Sequence, residues 1–227
     1  MKYIALFLGT LAILTTGCIS KNRIFQYPEI HANTPEDLEK ALENGGSNIV
    51  ITLQKGLYNL AHPIVIEGMS NLVINGNGAE LKLAALQDHV MVIKDCHNIK
   101  ITDLKAHHTK PEGPVGCTGN VIMIEGGSDI EIRNCILNGS GLVGIAAYNT
   151  KNLKVVGCRI VENSRYPIIY QGPELTLKGN IFEDNGNGNK IAFSLVRPGE
   201  SPSWPPDQSI GANLNQPGLV MKENIFK

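Results

Sequence analysis

Pairs of apolar residues separated by one polar position recur along this chain at an almost fixed distance. Ile130-x-Ile132 returns as Leu153-x-Val155 after 23 residues, as Leu175-x-Leu177 after 22 more, and as Leu219-x-Met221 after a further 44. Ile99-x-Ile101 and Leu72-x-Ile74 fit the same frame upstream. Period-two alternation marks strands with one buried face, and its return at a fixed step makes these strands equivalent members of a solenoid. A second set (Ile93, Ile124, Ala147, Ile169) stands 8 residues before Ile101, Ile132, Val155 and Leu177, and a third apolar position follows at Leu137, Ile160, Phe182 and Phe226. Three short strands per turn of ~22 residues describe a parallel β-helix, in which each coil supplies its own crossover.

This frame separates inward from outward positions. In the repeated strand, Lys100, Glu131, Lys154 and Thr176 form one outward column, and Thr102, Arg133, Val156 and Lys178 the next. In the strand before it, Lys94, Glu125, Tyr148 and Tyr170 form an outward column, with Arg165 just ahead of it. Gly139, Glu162 and Asp184 fall in register with His108. Six to seven coils are expected.

Two stretches break the period. Thr109 to Thr118 adds about nine residues and is loop-like in composition, rich in Pro and Gly. Residues 196–218 hold a larger insertion that contains Trp204 and five prolines, which forbid interior strands. At the other end, Thr34-Pro35-Glu36-Asp37 is a helix start: an N-cap, Pro at the first helical position, and acids against the dipole. Leu38, Ala41 and Leu42 line one helical face and Gly45-Gly46 stops it, so residues 34–46 read as a cap over the first coil.

The opening coils carry Gly56-x-Tyr58-x-Leu60, Pro63-Ile64-x-Ile66 and Asn71-Leu72-x-Ile74-x-Gly76. With the capping helix and the repeat, this resembles the pectate-lyase-like right-handed parallel β-helix superfamily, from about Thr34 to Lys227. The resemblance implies an all-β domain over residues 34–227 and a partner of the acidic-polysaccharide class, since members hold uronic acids on basic columns of a parallel sheet. The Asn-Thr-Asp and Asp-Asp motifs of polygalacturonases, the Arg-x-Pro-x-x-Arg of pectate lyases and the Asp-Pro-His of alginate epimerases are all missing. Arg133 and Lys154, 21 residues apart, only echo the Lys/Arg pair of another lyase family.

Composition changes little of this. With a net charge of -1 and no basic stripe, nucleic acid is not the expected partner. The N-terminus adds more. Lys2 precedes a short apolar run, Tyr3 to Leu14, too short to span a bilayer. Leu14-Thr15-Thr16-Gly17-Cys18 then resembles a bacterial lipobox, with Thr15 where Leu is usual. Residues 1–17 are read as a lipoprotein signal peptide and 18–33 as a tether, with Cys18 lipidated. That places the protein on the cell envelope, at the outer membrane or cell surface. Of the remaining cysteines, Cys135 and Cys158 share a repeat position with Asn180 and Asn224. Stacked turn residues fit that position, and the coil spacing also permits a Cys135–Cys158 bridge. No Cys/His spacing of a zinc site is present.

Candidate chemistry follows from these columns. His107, His108, Arg133 and Lys154 are the candidate catalytic residues, a His serving as base. Tyr148 and Tyr170 form a candidate stacking platform for a sugar ring, joined by Arg165, Glu131 and Trp204 as substrate-binding residues. Glu162 and Asp184 are candidate oxygen ligands for Ca²⁺. The expected function is a cell-envelope lipoprotein that binds or processes an acidic polysaccharide, in the manner of a lyase or epimerase. The alternative is a non-catalytic structural or adhesive solenoid. No capping element follows the last coil in sequence, so self-association through that end is a further expectation.

Overall fold

The computed structural model describes residues 27–109, 118–138, 142–196, 207–209 and 215–227. Three parallel sheets run the length of a β-helix of about seven turns, closed at one end by a single short helix. The longest sheet has nine strands, ordered Glu29–Ala32, Ile49–Leu53, Ser70–Asn75, His97–Thr102, Ser128–Arg133, Lys151–Val156, Leu175–Lys178, Leu219–Lys222 and Asn215–Gln216. The second sheet, seven strands from Leu57–Leu60 to Ile225–Phe226, follows it around each coil. The third, also of seven strands, begins with Ile64–Glu67 and ends with Ile191–Ser194 and Asp207–Ser209.

Register follows the repeat. Ile130 lies opposite Leu153, Leu153 opposite Leu175, and Leu175 opposite Leu219. The inward rungs Ile99, Ile101, Ile130, Ile132, Leu153, Val155, Leu175 and Leu177 are all essentially inaccessible to solvent. In the second sheet Tyr58, Leu81, Ala106, Leu137, Ile160, Phe182 and Phe226 stack inward, and the rings of Phe182 and Phe226 are 5.0 Å apart.

Coils turn sharply where residues accept a left-handed backbone. Gly68, Asp95, Gly126 and Asn149 leave the third sheet at positive φ, and Asn48, Asn71, Asn98, Asp129 and Asn152 enter the long sheet the same way. Asn, Asp and Gly recur at these places because the left-handed region is costly for other side chains. Where the long sheet turns into the second, the buried position is Cys135, Cys158, Asn180 and then Asn224. Cys158 N–H donates to Asn180 Oδ1 at 2.9 Å, and Asn180 N–H to Asn224 Oδ1 at 3.0 Å. Cys135 N–H donates to the Cys158 sulfur at 3.5 Å, so a thiol occupies the acceptor place of an asparagine. Both cysteines are free thiols, which settles the choice left by the spacing in favour of stacking.

The helix is Pro35–Gly45; Thr34 Oγ1 accepts the Asp37 N–H at 3.1 Å, and Leu38 and Ala41 are buried. Two expectations about the ends are corrected. Residues 29–32, expected within the tether, form the first strand of the long sheet, because Glu29 to Ala32 pair with Val50 to Leu53. The last coil is not bare on all sides. Asp207–Ser209 and Asn215–Gln216, from the stretch expected as a Pro-rich loop, pair antiparallel with the final coil strands of the third and long sheets. Cys18, Cys117, Gly139 and Trp204 lie outside the described residues.

Candidate functional site

The three sheets face three directions, and that alone disperses the candidate residues. Arg133, Lys154 and Glu131 belong to the long sheet, His107 to the second, and Tyr148 to the third. His108, Tyr148 and Arg133 therefore do not converge on one groove.

Tyr170 is the clearest correction. It lies opposite Ala147, not Tyr148, and is completely buried, while Gln171 takes the place opposite Tyr148. The turn from Gln171 to Leu175 is one residue shorter than that from Tyr148 to Leu153, and a one-residue slip exchanges the faces of a strand. The Tyr170 hydroxyl donates to the carbonyl of Thr150 at 2.8 Å and lies 2.7 Å from that of Glu174. Burial pushes its phenol well above the usual tyrosine range. Tyr58 does the same in the second sheet, with its hydroxyl against Ala32 and Gln54 carbonyls. Both are internal struts, and the two-ring platform does not form.

The histidines are also structural. His108 is 1% exposed, and its Nε2 donates to the Asp88 carbonyl at 2.7 Å. Burial holds its pKa below the ordinary histidine value, so it stays neutral, but it points into the core and meets no substrate. The contact is tight: a Cβ on Gly119 would collide with that same Asp88 carbonyl. His107 faces two acceptors, the His108 carbonyl through Nδ1 at 2.8 Å and Glu80 Oε1 through Nε2 at 2.7 Å. Both ring nitrogens are therefore occupied by groups of the protein itself. Glu162 and Asp184 sit at left-handed turn positions and line one groove with Lys105 and Arg159, and among the described residues no group of three or more His, Cys, Asp and Glu could hold a metal ion. The expected Ca²⁺ ligand set is therefore not assembled. Arg165 is exposed on the turn before the third sheet, remote from the long-sheet columns.

What remains together is the outward face of the long sheet. Lys100, Glu131 and Lys154 stack in one column; Thr102, Arg133, Val156, Lys178 and Lys222 form the next; and Lys151 lies in the strand margin opposite Ser128. Arg133 Nε reaches Glu131 Oε1 at 2.6 Å, and Lys100 Nζ comes within 4.0 Å of the same oxygen. Lys154 has no ion pair among the described residues, which leaves its charge available. A groove of about 310 Å³ lies here, lined by Asn98, Lys100, Asp129, Glu131 and Lys154.

Its margin contains a chain of bonds that resembles a hydrolase relay but is wired differently. Ser128 Oγ donates to Asp129 Oδ2 at 2.9 Å, so its oxygen accepts from His97 Nδ1, 3.1 Å away. A nucleophilic serine must donate to the histidine instead. This chain fixes Asp129 and activates nothing. Bonds from Asn152 and Ser128, and the nearby Lys151 and Lys154, hold the Asp129 carboxyl below its ordinary value. Sequence reasoning passed over Asn98 and Asp129. Their signal was present, since the repeat Asn-Ile/Leu at residues 48, 71, 98 and 152 is interrupted by Asp at 129 alone.

The chain was compared with solved structures, curated proteins and family models. Pectate lyase Pel9A is similar in structure with a TM-score of 0.49 and 13% identity, over 70% of this chain and 55% of that one. This chain thus spans about half of that lyase. The alginate lyase from Paenibacillus sp. str. FPU-7 gives a TM-score of 0.37 and 16% identity, over 71% of this chain and 78% of that one. No curated protein matches the sequence. A family model described as right handed beta helix region matches residues 64–226, the span of the regular coils, and the chain belongs to that right-handed β-helix family.

Proposed function

We propose that this protein binds an acidic polysaccharide along the outward face of its long sheet, held at the cell envelope by a lipid on Cys18. The single observation that carries this reading is the run of cationic side chains on that face: Lys100, Arg133, Lys151, Lys154, Lys178 and Lys222. Strands in a parallel stack are about 4.8 Å apart, so these charges form a ladder along which an extended polyanion can lie. Glu131 neutralises part of it, and the exposed Lys154 does not share that pairing. Such a surface attracts anions through long-range steering and weakens with salt.

Binding is favoured over processing because the candidate base residues are committed elsewhere. His108 is a core residue and His107 has both nitrogens engaged. The test is a titration of alginate, polygalacturonate and hyaluronan against the protein, with parallel monitoring of the ultraviolet absorbance of unsaturated uronate. Saturable, salt-sensitive binding without absorbance is the expected result. Absence of binding to every acidic glycan sinks the proposal, and growth of absorbance replaces it with a lyase. Labelling with a radioactive fatty acid, lost in Cys18→Ala, checks the anchor.

A further inference from the structure

The margin of the long sheet carries a ladder of side-chain amides with one missing rung. Asn71 Nδ2 donates to Asn48 Oδ1 at 2.8 Å, and Asn98 Nδ2 to Asn71 Oδ1 at 2.7 Å. Beyond the gap, Asn152 Nδ2 donates to Asp129 Oδ1 at 2.6 Å. Each rung donates toward the capping helix. Asp129, opposite Asn98 in the register, breaks the series because an ionised carboxylate has no proton to give. Asn98 Oδ1 therefore meets another acceptor, and among the described residues no donor reaches it. The gap opens into the 310 Å³ groove, whose other walls are the Lys100, Lys154 and Glu131 side chains. One amide oxygen without a donor, and a carboxylate that accepts from Asn152 and Ser128, lie beside two ammonium groups.

We propose that this gap is a sugar-hydroxyl subsite, in which neighbouring hydroxyls of one glycan unit donate to Asn98 Oδ1 and Asp129 while Lys100 and Lys154 take its oxygen acceptors or carboxylate. The inference rests on the acidic-polysaccharide reading and sharpens it: the ligand is a uronate-type sugar with free vicinal hydroxyls, not any polyanion. A hydroxyl donates and accepts through a single atom, and this groove offers partners for each role. A sulfate or phosphate, which only accepts at neutral pH, would meet Asp129 as repulsion.

The variant Asp129→Asn separates the two ideas by sign. An asparagine there can donate to Asn98 Oδ1 and still accept from Asn152, which fills the free amide oxygen and replaces the Oδ2 that now accepts from Ser128. It also removes a negative charge from a basic face. If charge alone governs binding, D129N binds acidic glycans more tightly. If the gap reads hydroxyls, D129N binds tetragalacturonate at least about tenfold more weakly, the loss expected for a charge-assisted bond. Asp129→Ala removes the carboxylate without closing the ladder; its affinity falls similarly and its melting temperature falls as well. Acetylating the free hydroxyls of the oligomer removes the difference between wild type and D129N. Equal or tighter binding by D129N overturns the subsite and leaves acidic-glycan binding standing. Failure of the wild-type protein to bind any acidic oligomer overturns both.

Discussion

Asn180 Oδ1 accepts the backbone N–H of Cys158, and its Nδ2 donates to the Val155 carbonyl at 2.8 Å. One amide thus links three coils, since its own N–H is held in turn by Asn224. Removing it in Asn180→Ala leaves buried donors and acceptors unmet and costs about 3 kcal/mol. The opposite change improves the ladder. Cys158→Asn supplies an oxygen in place of sulfur for the Cys135 N–H and an amide for the Ile132 carbonyl, which the thiol now meets at 3.5 Å. It stabilises by about 1 kcal/mol. Urea denaturation of the two variants checks both signs.

Tyr170 is predicted to matter for folding and not for ligands. Tyr170→Phe keeps the ring in the core and loses the hydroxyl bonds to Thr150 and Glu174, at a cost of about 1–3 kcal/mol. Glycan affinity stays unchanged. Thermal melts beside a titration distinguish this from a stacking platform, where affinity would collapse.

Acid weakens the fold in two windows. Burial lowers the folded-state pKa of His89 and His108 below the ordinary value of 6.5. A depressed histidine contributes stability that is complete above the unfolded pKa, so melting temperature falls as pH drops below about 6.5 and the unfolded chain takes up protons first. In structure, a proton on His89 Nδ1 would displace the Asn120 N–H that it accepts at 2.9 Å. Glu80, held below its ordinary value of 4.5 by the bond from His107, adds a second loss that begins only below about pH 4.5. Melting curves across pH 3–8 resolve the two windows. The upper one shrinks in His89→Asn, and a flat profile above pH 5 rejects the assignment.

Lys154→Glu reverses one charge on the ligand face without touching the core. Affinity for an acidic oligomer drops about tenfold at low salt, and the difference from wild type narrows as ionic strength rises. Arg165→Glu, on a different side of the coil, leaves affinity unaltered.

Most of the architecture was legible because a solenoid repeats its own test. Ile130, Leu153, Leu175 and Leu219 fall into register by counting alone, and each agreement constrains the next. The frame failed where a turn changed length. Between Gln171 and Leu175 one residue is missing, and Tyr170 moved from the surface to the core. No periodicity reveals which side of a turn a deletion falls on. The strand Glu29–Ala32 was missed because a single copy at the edge has too few repeats to declare itself. The candidate site was legible only as columns. Glu131, Arg133 and Lys154 share a face as expected, but a coil has three faces, and His107 and Tyr148 belong to the other two. The Asn98–Asp129 gap could be seen in sequence only as an exception within a conserved spacing, and its meaning required the direction in which each amide donates.

The two reversed strands Asp207–Ser209 and Asn215–Gln216 bear on the edges that a stack of coils exposes. A stack of parallel coils is a template that any like-sequenced strand could extend, which is how amyloid grows. Antiparallel pairing changes the hydrogen-bond spacing from even to alternating. A further coil would therefore meet reversed strands, and not the coil strands themselves, on two of its three sides. Those two coil edges are occupied by the protein's own chain and are not offered directly to a like-sequenced strand.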